Sequence, residues 1–301
     1  MSNLLFDLTI LFCSFLAGVL GSMIGLGGGI IVTPLLVLGF GIDIRYAMGA
    51  ALCSVIATSS GAAAAYLRDG ISNMEIGIFL SLATTSGAIC GAFATSFLNT
   101  SLLAIIFGIV LLITVLLSLH QQPESIIPPS HSDPLASRLL LPNEFPSPTG
   151  PIAYGVLHVI PGFLLMGVAG VLSGLLGIGS GAFKVLAMDK VMKLPFKVTT
   201  ATSNFMIGVT AAASVGIYLK KGYIDPALVA PVILGVLGGA FLGAKLLVLV
   251  PVKFLRWVFL AAVFIVSLQM IMQGIHTKES EKKKFTGMEA MEGMTEKHTD
   301  Y

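Results

Sequence analysis

A single lysine, Lys184, stands in an otherwise apolar stretch, three residues after the glycine-rich run Gly177-Ile178-Gly179-Ser180-Gly181. Thr199, Thr200, Thr202, Ser203 and Asn204 follow, five polar side chains in six residues. Ammonium, hydroxyl and amide groups are donors, and neutral donors can replace the water around a sulfonate, sulfite or carboxylate headgroup without trapping it. An ionisable side chain at membrane depth marks a functional position by default. The competing reading of Lys184 is a side chain near the interface that snorkels its ammonium to water. Ser and Thr in apolar helices commonly bond back to a carbonyl of their own helix, but five polar residues in six exceed that habit. The first half has a looser set within one span: Ser54, Thr58, Ser59 and Ser60.

The glycine run supplies a second kind of donor. Each glycine inside a helix costs about 1 kcal/mol, so a dense run predicts a break. A break frees backbone N–H and C=O groups, which hydrocarbon tolerates only where they are buried or line a cavity. The short helix after it turns partial positive charge and unpaired N–H groups toward the break. Gly25-Leu26-Gly27-Gly28-Gly29 repeats the pattern in the first half. The expected substrate-binding set is therefore Gly25, Gly27, Gly28, Gly29, Gly177, Gly179, Ser180, Gly181, Lys184, Thr202, Ser203 and Asn204. No catalytic residue, metal ligand or cofactor is expected. Cys13, Cys53 and Cys90 lie in apolar spans without CxxC spacing and read as small packing residues. A dinucleotide-binding reading of the glycines fails for want of a preceding strand and a soluble βαβ unit.

These residues are positioned by a duplicated framework. Gly25 and Gly177 are 152 residues apart, and the offset persists far beyond the glycines. Ala17-Gly18-Val19-Leu20 maps onto Ala169-Gly170-Val171-Leu172, Tyr66-Leu67 onto Tyr218-Leu219, and Gly70 onto Gly222. Gly87-Ala88 and Gly91-Ala92 map onto Gly239-Ala240 and Gly243-Ala244, with the spacing of close helix packing. A duplicated membrane unit with helix breakers at matching positions points to a transporter whose site lies between the repeats.

The 301 residues are 55% hydrophobic and 11% charged, with mean hydropathy +0.95, against about 25% charged in soluble domains. Apolar segments at about 4–24, 46–67, 75–98, 101–119, 152–176, 199–219, 226–250 and 253–273 each exceed the roughly 18 residues of a membrane helix. Pieces at about 29–41 and 181–194, after the glycine runs, are short or polar for a full span. Arg68-Asp69-Gly70 and Lys220-Lys221-Gly222 predict matching helix ends. The expected fold class is thus an all-α polytopic membrane protein: two repeats of about four long helices, each with a Gly-rich broken or re-entrant segment. The expected organisation is a first membrane repeat over 1–119, a Pro-rich extra-membrane linker over 120–151, a second repeat over 152–275 and a polar, mobile tail over 276–301. No Lys or Arg precedes the first apolar run, so a signal peptide is not expected there.

At these residues the chain resembles the TauE/SafE family of membrane permeases, also called the sulfite exporter or TSUP family. Each half of that family opens with a segment like G-x-x-G-x-G-G-G-x-x-x-x-P, which Ser22 to Pro34 matches from Gly25 onward. The family's next element, a short G-T-S stretch, is similar to Ala201-Thr202-Ser203, while in the first half Gly49 is followed by Ala50-Ala51. The second run departs further, with Ser180 in a glycine position and Leu186 in place of the proline. The resemblance spans most of the chain outside the linker and tail. It implies transport of small, often sulfur-containing, organic or inorganic anions.

The expectation is a secondary transporter of a small anion such as sulfite, thiosulfate or an organosulfonate, working by alternating access in a plasma or inner membrane. Its partners would be membrane lipid and the anion; a homo-oligomer is compatible with the chain, and a net charge of +2 argues against nucleic acid. Rival readings are a channel-like or structural subunit and, from another class, an intramembrane serine enzyme built on Ser180. The latter lacks a G-x-S-G motif, since Ile178 stands two residues before Ser180, and its nearest histidine is His158. Topology stays open. Re-entrant short pieces give four crossings per half and parallel halves, whereas crossing pieces give five and inverted halves. Both place the two termini on one side, and the basic tail favours the cytoplasm.

Overall fold

The computed structural model describes residues 3–24, 29–119, 127–146, 150–246, 257, 260, 261 and 263–278. Helix α1 (Asn3–Ile24) leads to a short helix α2 (Gly29–Pro34), which continues as a π-helical turn over Leu35–Gly39. Helices α3 (Ile44–Arg68), α4 (Met74–Ala94) and α5 (Thr100–Leu119) follow. After the small helix α6 (Pro134–Arg138) and strands β1 (Asn143–Phe145) and β2 (Ile152–Tyr154), the order recurs. Helix α7 (Val159–Leu176) precedes the short α8 (Gly181–Leu186) with its π-helical turn Ala187–Val191, then α9 (Phe196–Lys220) and α10 (Pro226–Leu246). Residues 263–278 are helical. Helices α8, α9, α10 and the second π-helical turn each begin and end 152 residues after α2, α3, α4 and the first turn. Among the described residues, α3, α4, α7 and α9 are long and apolar enough to cross a membrane; α1, α5 and α10 carry shorter apolar runs.

Local chemistry accounts for the helix ends. Gly70 and Gly222, at φ +66° and +73°, take the left-handed conformation after α3 and α9. Asn73 and Asp225 open α4 and α10: Asn73 Oδ1 accepts from the Ile76 amide and Asp225 Oδ1 from the Ala227 amide.

The halves pack by exchange. Helix α1 lies on α10, α4 lies on α7, and α3 crosses α9. Glycine makes the first two contacts close. A Cβ on Gly87 or Gly91 would strike the Gly167 or Val171 carbonyl, and one on Gly170 or Gly174 the Thr84 or Ala88 carbonyl. Gly18, Gly235 and Gly239 stand in the same relation to Val236, Leu11 and Phe15. Backbone-to-backbone approach of this kind replaces the hydrophobic driving force that lipid does not provide.

The contacts also fix helix directions. Gly235 meets Leu11 and Gly239 meets Phe15, so α1 and α10 run parallel; Thr84 meets Gly170 and Ala88 meets Gly174, so α4 and α7 do too. Helices α3 and α9 run antiparallel, since Met48 meets Tyr218 while Ser59 meets Gly208. Helix α5 and residues 263–278 are likewise antiparallel: Gly108 lies on Ser267 and Gly274 on Ser101.

The segment between the halves has more structure than a Pro-rich stretch suggests. Strands β1 and β2 pair antiparallel, Phe145 opposite Ile152. Ala136, Leu141, Phe145, Tyr154 and Val156 join one apolar cluster with Ile76 and Leu80 of α4, Met188, Met192 and Leu194. Residues 127–146 and 150–158 thus form a cap over the N-terminal ends of α4 and α9. The helix expected from about 152 begins at Val159, because Ile152–Tyr154 pair with β1 and His158 turns the chain at φ +47°. His158 is exposed, its Nδ1 3.2 Å from the Val191 carbonyl, and so lies outside the span in which it was expected. Segments 120–126, 147–149 and 279–301, with most of the expected tail, lie outside the described residues.

A substitution pair tests the packing. Gly174→Ala forces a methyl group into the Ala88 carbonyl and should lower the thermal stability of detergent-purified protein by about 1–3 kcal/mol, the usual cost of overpacking. Gly216→Ala, with no atom within 4 Å of its Cβ position, should be neutral or stabilise by up to about 1 kcal/mol through helix propensity.

Candidate functional site

Helix α7 ends where the glycines begin. Gly177 and Gly179 adopt φ +67° and +69°, and Ser180 lies at +43°, a region natural for glycine and costly for serine. Ser180 is held there by its own side chain: Oγ donates to the Ala169 carbonyl at 2.6 Å, inside the protein. Ala169 sits seven residues before the end of α7, so the chain has doubled back by about 10 Å when α8 starts. The break is therefore at depth.

The break is enclosed by protein. Val55 of α3 and Ile207 of α9 flank Gly179, and a Cβ on Gly177 would meet Met48. A Cβ on Gly29 would lie 3.5 Å from the Gly177 carbonyl oxygen. Gly29 and Gly177 thus meet at the α3–α9 crossing. Gly29 and Gly181 were expected inside the breaks; each is instead the first residue of its short helix. Gly25, Gly27 and Gly28 lie outside the described residues.

Lys184 is 0% exposed. Its Nζ donates to Thr210 Oγ1 at 2.9 Å and to the Met206 carbonyl at 3.4 Å. Thr210 Oγ1 donates to the Met206 carbonyl at 2.6 Å and lies 3.2 Å from Thr84 Oγ1. Three elements converge: α8 brings the ammonium, α9 one hydroxyl and α4, from the other half, a second. Lys184 is the one charged residue among the buried side chains described, and neither ion pair among the described residues includes it. The snorkelling reading does not fit a side chain that is fully buried and bonded to Thr210 and the Met206 carbonyl.

The polar cluster divides differently. Thr202, Ser203 and Asn204 were expected to open a helix beside free N–H groups. They lie in the second and third turns of α9, which starts at Phe196 after Pro195, so their amides are interior to the helix. Asn204 Nδ2 donates to the Thr200 carbonyl and Thr200 Oγ1 to the Phe196 carbonyl, bonds within their own helix. Ser203 Oγ reaches the Gly181 carbonyl at a long 3.5 Å. Thr202 Oγ1 accepts from the Asn73 amide at 3.0 Å. Asn73 Nδ2 donates to the Leu141 carbonyl at 3.0 Å and to the Tyr154 hydroxyl at 2.8 Å. Thr202 is thus tied to the cap, and Lys184 is tied to Thr210.

Thr202, Met206, Thr210, Ser214 and Tyr218 recur every four residues along one buried face of α9. At the far end of this seam the Tyr218 hydroxyl donates to the Gly174 carbonyl at 3.0 Å and lies 3.3 Å from Thr95 Oγ1. The equivalent positions of the other half carry Ala50 for Thr202, Val32 for Lys184 and Val236 for Thr84, while Thr58, for Thr210, and Tyr66, for Tyr218, keep a hydroxyl. Sequence reading missed Thr84, Thr210 and Asn73. A lone threonine in an apolar helix reads as bonded to its own backbone, and the available signal was the contrast of Thr84 with Val236.

These features, a helical bundle with long apolar spans, glycine-mediated contacts and a buried polar seam, make a multi-pass membrane protein of the transporter class. The family described as Sulfite exporter TauE/SafE matches residues 10–270, and the chain belongs to that family. It is similar to Probable membrane transporter protein YdhB of Bacillus subtilis (strain 168), 30% identical over 244 residues covering 80% of this chain and 91% of that protein. It is also similar to Probable membrane transporter protein YunE of the same organism, 25% identical over 268 residues covering 86% of this chain and 95% of that one. No solved structure matches it.

The cap bond is testable by pH. Burial pushes the Tyr154 hydroxyl up to about 12, the Glu75 carboxylate adding to the rise against the opposing Asn73 bond. A detached cap would ionise near 10. Docking is therefore unaffected below about pH 10 and should weaken by about 1.4 kcal/mol per unit between about 10 and 12. Tyr154→Phe should remove one late-ionising tyrosine from the ultraviolet titration and flatten the alkaline fall in thermal stability.

Proposed function

We propose that the protein is a secondary transporter of a small anion, sulfur-containing as in sulfite, thiosulfate or an organosulfonate, in the cell membrane. The carrying observation is Lys184: an enclosed ammonium whose partners are hydroxyl and carbonyl oxygens, with no carboxylate beside it. Burying a charge is expensive unless it is paired, and a substrate anion supplies the pair. Thr210 and Thr84 are placed to turn their hydroxyls toward it, and the family's name, sulfite exporter, agrees with such a cargo. The expected contacts from Gly177, Gly179, Ser180, Gly181, Ser203 and the Gly25–Gly29 run belong to this proposal as the surrounding wall.

The proposed mechanism is alternating access with the halves inverted. The opposite senses of α3 and α9, and of α5 and residues 263–278, support inversion, as does the reciprocal packing of α1 on α10 and α4 on α7. Each short helix with its π-helical turn then counts as a crossing, giving five per half and both termini on one side, assigned here to the cytoplasm. Lys184 is sealed from both faces, by the cap with Asn73 at one end and by Tyr218 with Thr95 at the other. Such a closed state suits a carrier better than an open pore.

Flux into vesicles reconstituted with purified protein tests the reading. Lys184→Ala should abolish anion uptake without loss of membrane protein. Thr210→Val should raise the half-saturating concentration roughly tenfold to a hundredfold, since a hydrogen bond to a charged group is worth about 1.5–3 kcal/mol. Thr58→Val, at the equivalent first-half position, should change it little. Normal saturation by Lys184→Ala protein would overturn the proposal.

A further inference from the structure

The charge of the cargo follows from counting the charges around its proposed site, an inference that rests on the anion reading above. Helices α5 and α7, which pack on α8, contain no Asp, Glu, Lys, Arg or His. Helix α9 carries Lys197 and Lys220, at its two ends, and α4 carries Glu75, in its first turn. On the π-helical turn after α8, Asp189 and Lys190 pair with each other at 3.2 Å. Among the described residues Lys184 is therefore the only formal charge in the middle of the seam. Every other polar group there, Thr84, Thr210, Ser203 and the Met206 and Gly181 carbonyls, is neutral.

We infer that the Lys184 site is matched to a single negative charge, so that the protein carries monoanions, such as an alkanesulfonate or hydrogensulfite, in preference to dianions such as thiosulfate or sulfate. The reason is the cost of a net charge in a medium of low polarity. A monoanion against the Lys184 ammonium leaves the enclosed site neutral. A dianion leaves one uncompensated negative charge, and hydroxyl dipoles offset that only in part. The neighbouring carbonyls of Met206 and Gly181 add negative ends that oppose a second charge. A site built for dianions needs a second cation within reach, and none of the elements packed around Lys184 provides one near its middle.

The test is thermal stabilisation of the detergent-purified full chain by anions of fixed charge at neutral pH and matched ionic strength: methanesulfonate and 2-hydroxyethanesulfonate against thiosulfate and sulfate. Ligands that bind only the folded state stabilise it by RT ln(1 + L/Kd) at free concentration L, so the dependence of the melting temperature on anion concentration reports the dissociation constant. Sulfate also stabilises proteins non-specifically, so the same series on Lys184→Gln serves as the baseline. The expected result is stabilisation by the two sulfonates that is lost in Lys184→Gln, with dissociation constants at least tenfold below those of thiosulfate and sulfate. Equal or tighter Lys184-dependent stabilisation by a dianion overturns charge matching and leaves an anion site at Lys184 standing. No Lys184-dependent stabilisation by any of the four overturns the anion reading itself. Should Lys184→Gln fail to fold, competition for uptake by the wild-type protein in vesicles decides the order. Thiosulfate competing as well as methanesulfonate overturns the inference.

Discussion

A membrane interior leaves no backbone polar group free, and this one constraint organises the molecule. The chain interrupts its helix at Gly177–Ser180, at depth, and so exposes N–H and C=O groups where lipid offers no partner. The interruption is viable because other protein encloses it. Ser180 bonds back to Ala169, Gly179 is flanked by Val55 and Ile207, and Gly177 abuts Met48 and Gly29. That enclosure requires α3 and α9 to cross closely, and it requires α7 to be pinned from outside by α4. The glycine contacts along α4–α7 meet the second requirement. The buried position of Lys184 is a consequence, since α8 begins only after the chain has doubled back into the bundle.

The framework was legible because duplication writes the same packing twice. The 152-residue offset located the element boundaries of the second half from those of the first, and Gly70 and Gly222 marked matching helix ends as expected from their type. The site was legible in part. Lys184 stood out as a charge without a neighbour, and in the structure it is enclosed. Its partners Thr84 and Thr210 did not stand out, since a threonine's contact across helices cannot be told from a bond to its own turn until the helices are placed. Thr202, Ser203 and Asn204 attracted notice by density, yet Asn204 satisfies itself on Thr200 and Thr202 answers to the cap. Density of polar residues reported buried structure as well as chemistry. The cap was illegible for a different reason: eight prolines between Pro123 and Pro151 suppress periodicity, whereas its order comes from a three-residue strand pair and a few apolar anchors.

Duplication has kept the glycine packing in both halves and the buried lysine–threonine cluster in one. The glycines on α1 and α10 do for the first short helix what those on α7 and α4 do for the second. Along the seam, however, Val32, Ala50 and Val236 stand where Lys184, Thr202 and Thr84 stand in the other half. A bundle with two-fold symmetry would otherwise hold two ammonium groups near its centre with nothing to compensate either. Val32 and Val236 remove that cost.

The cap makes the two mouths of the seam mechanically unequal. Opening beneath it breaks the bonds of Asn73 to Thr202, Leu141 and Tyr154 and parts an apolar cluster, whereas the far mouth is closed by hydrogen bonds from Tyr218, Arg45 and Lys221 to backbone carbonyls. This inequality has no power over direction. A lid that is slow to lift delays departure as much as arrival, so for a passive carrier detailed balance leaves the ratio of forward to backward flux to the concentrations and the membrane voltage. What the cap can alter is the dwell time on each side, and with it the concentration at which traffic from that side saturates. Two relatives with the same seam and different linkers would then move the same cargo to the same final distribution, at different speeds.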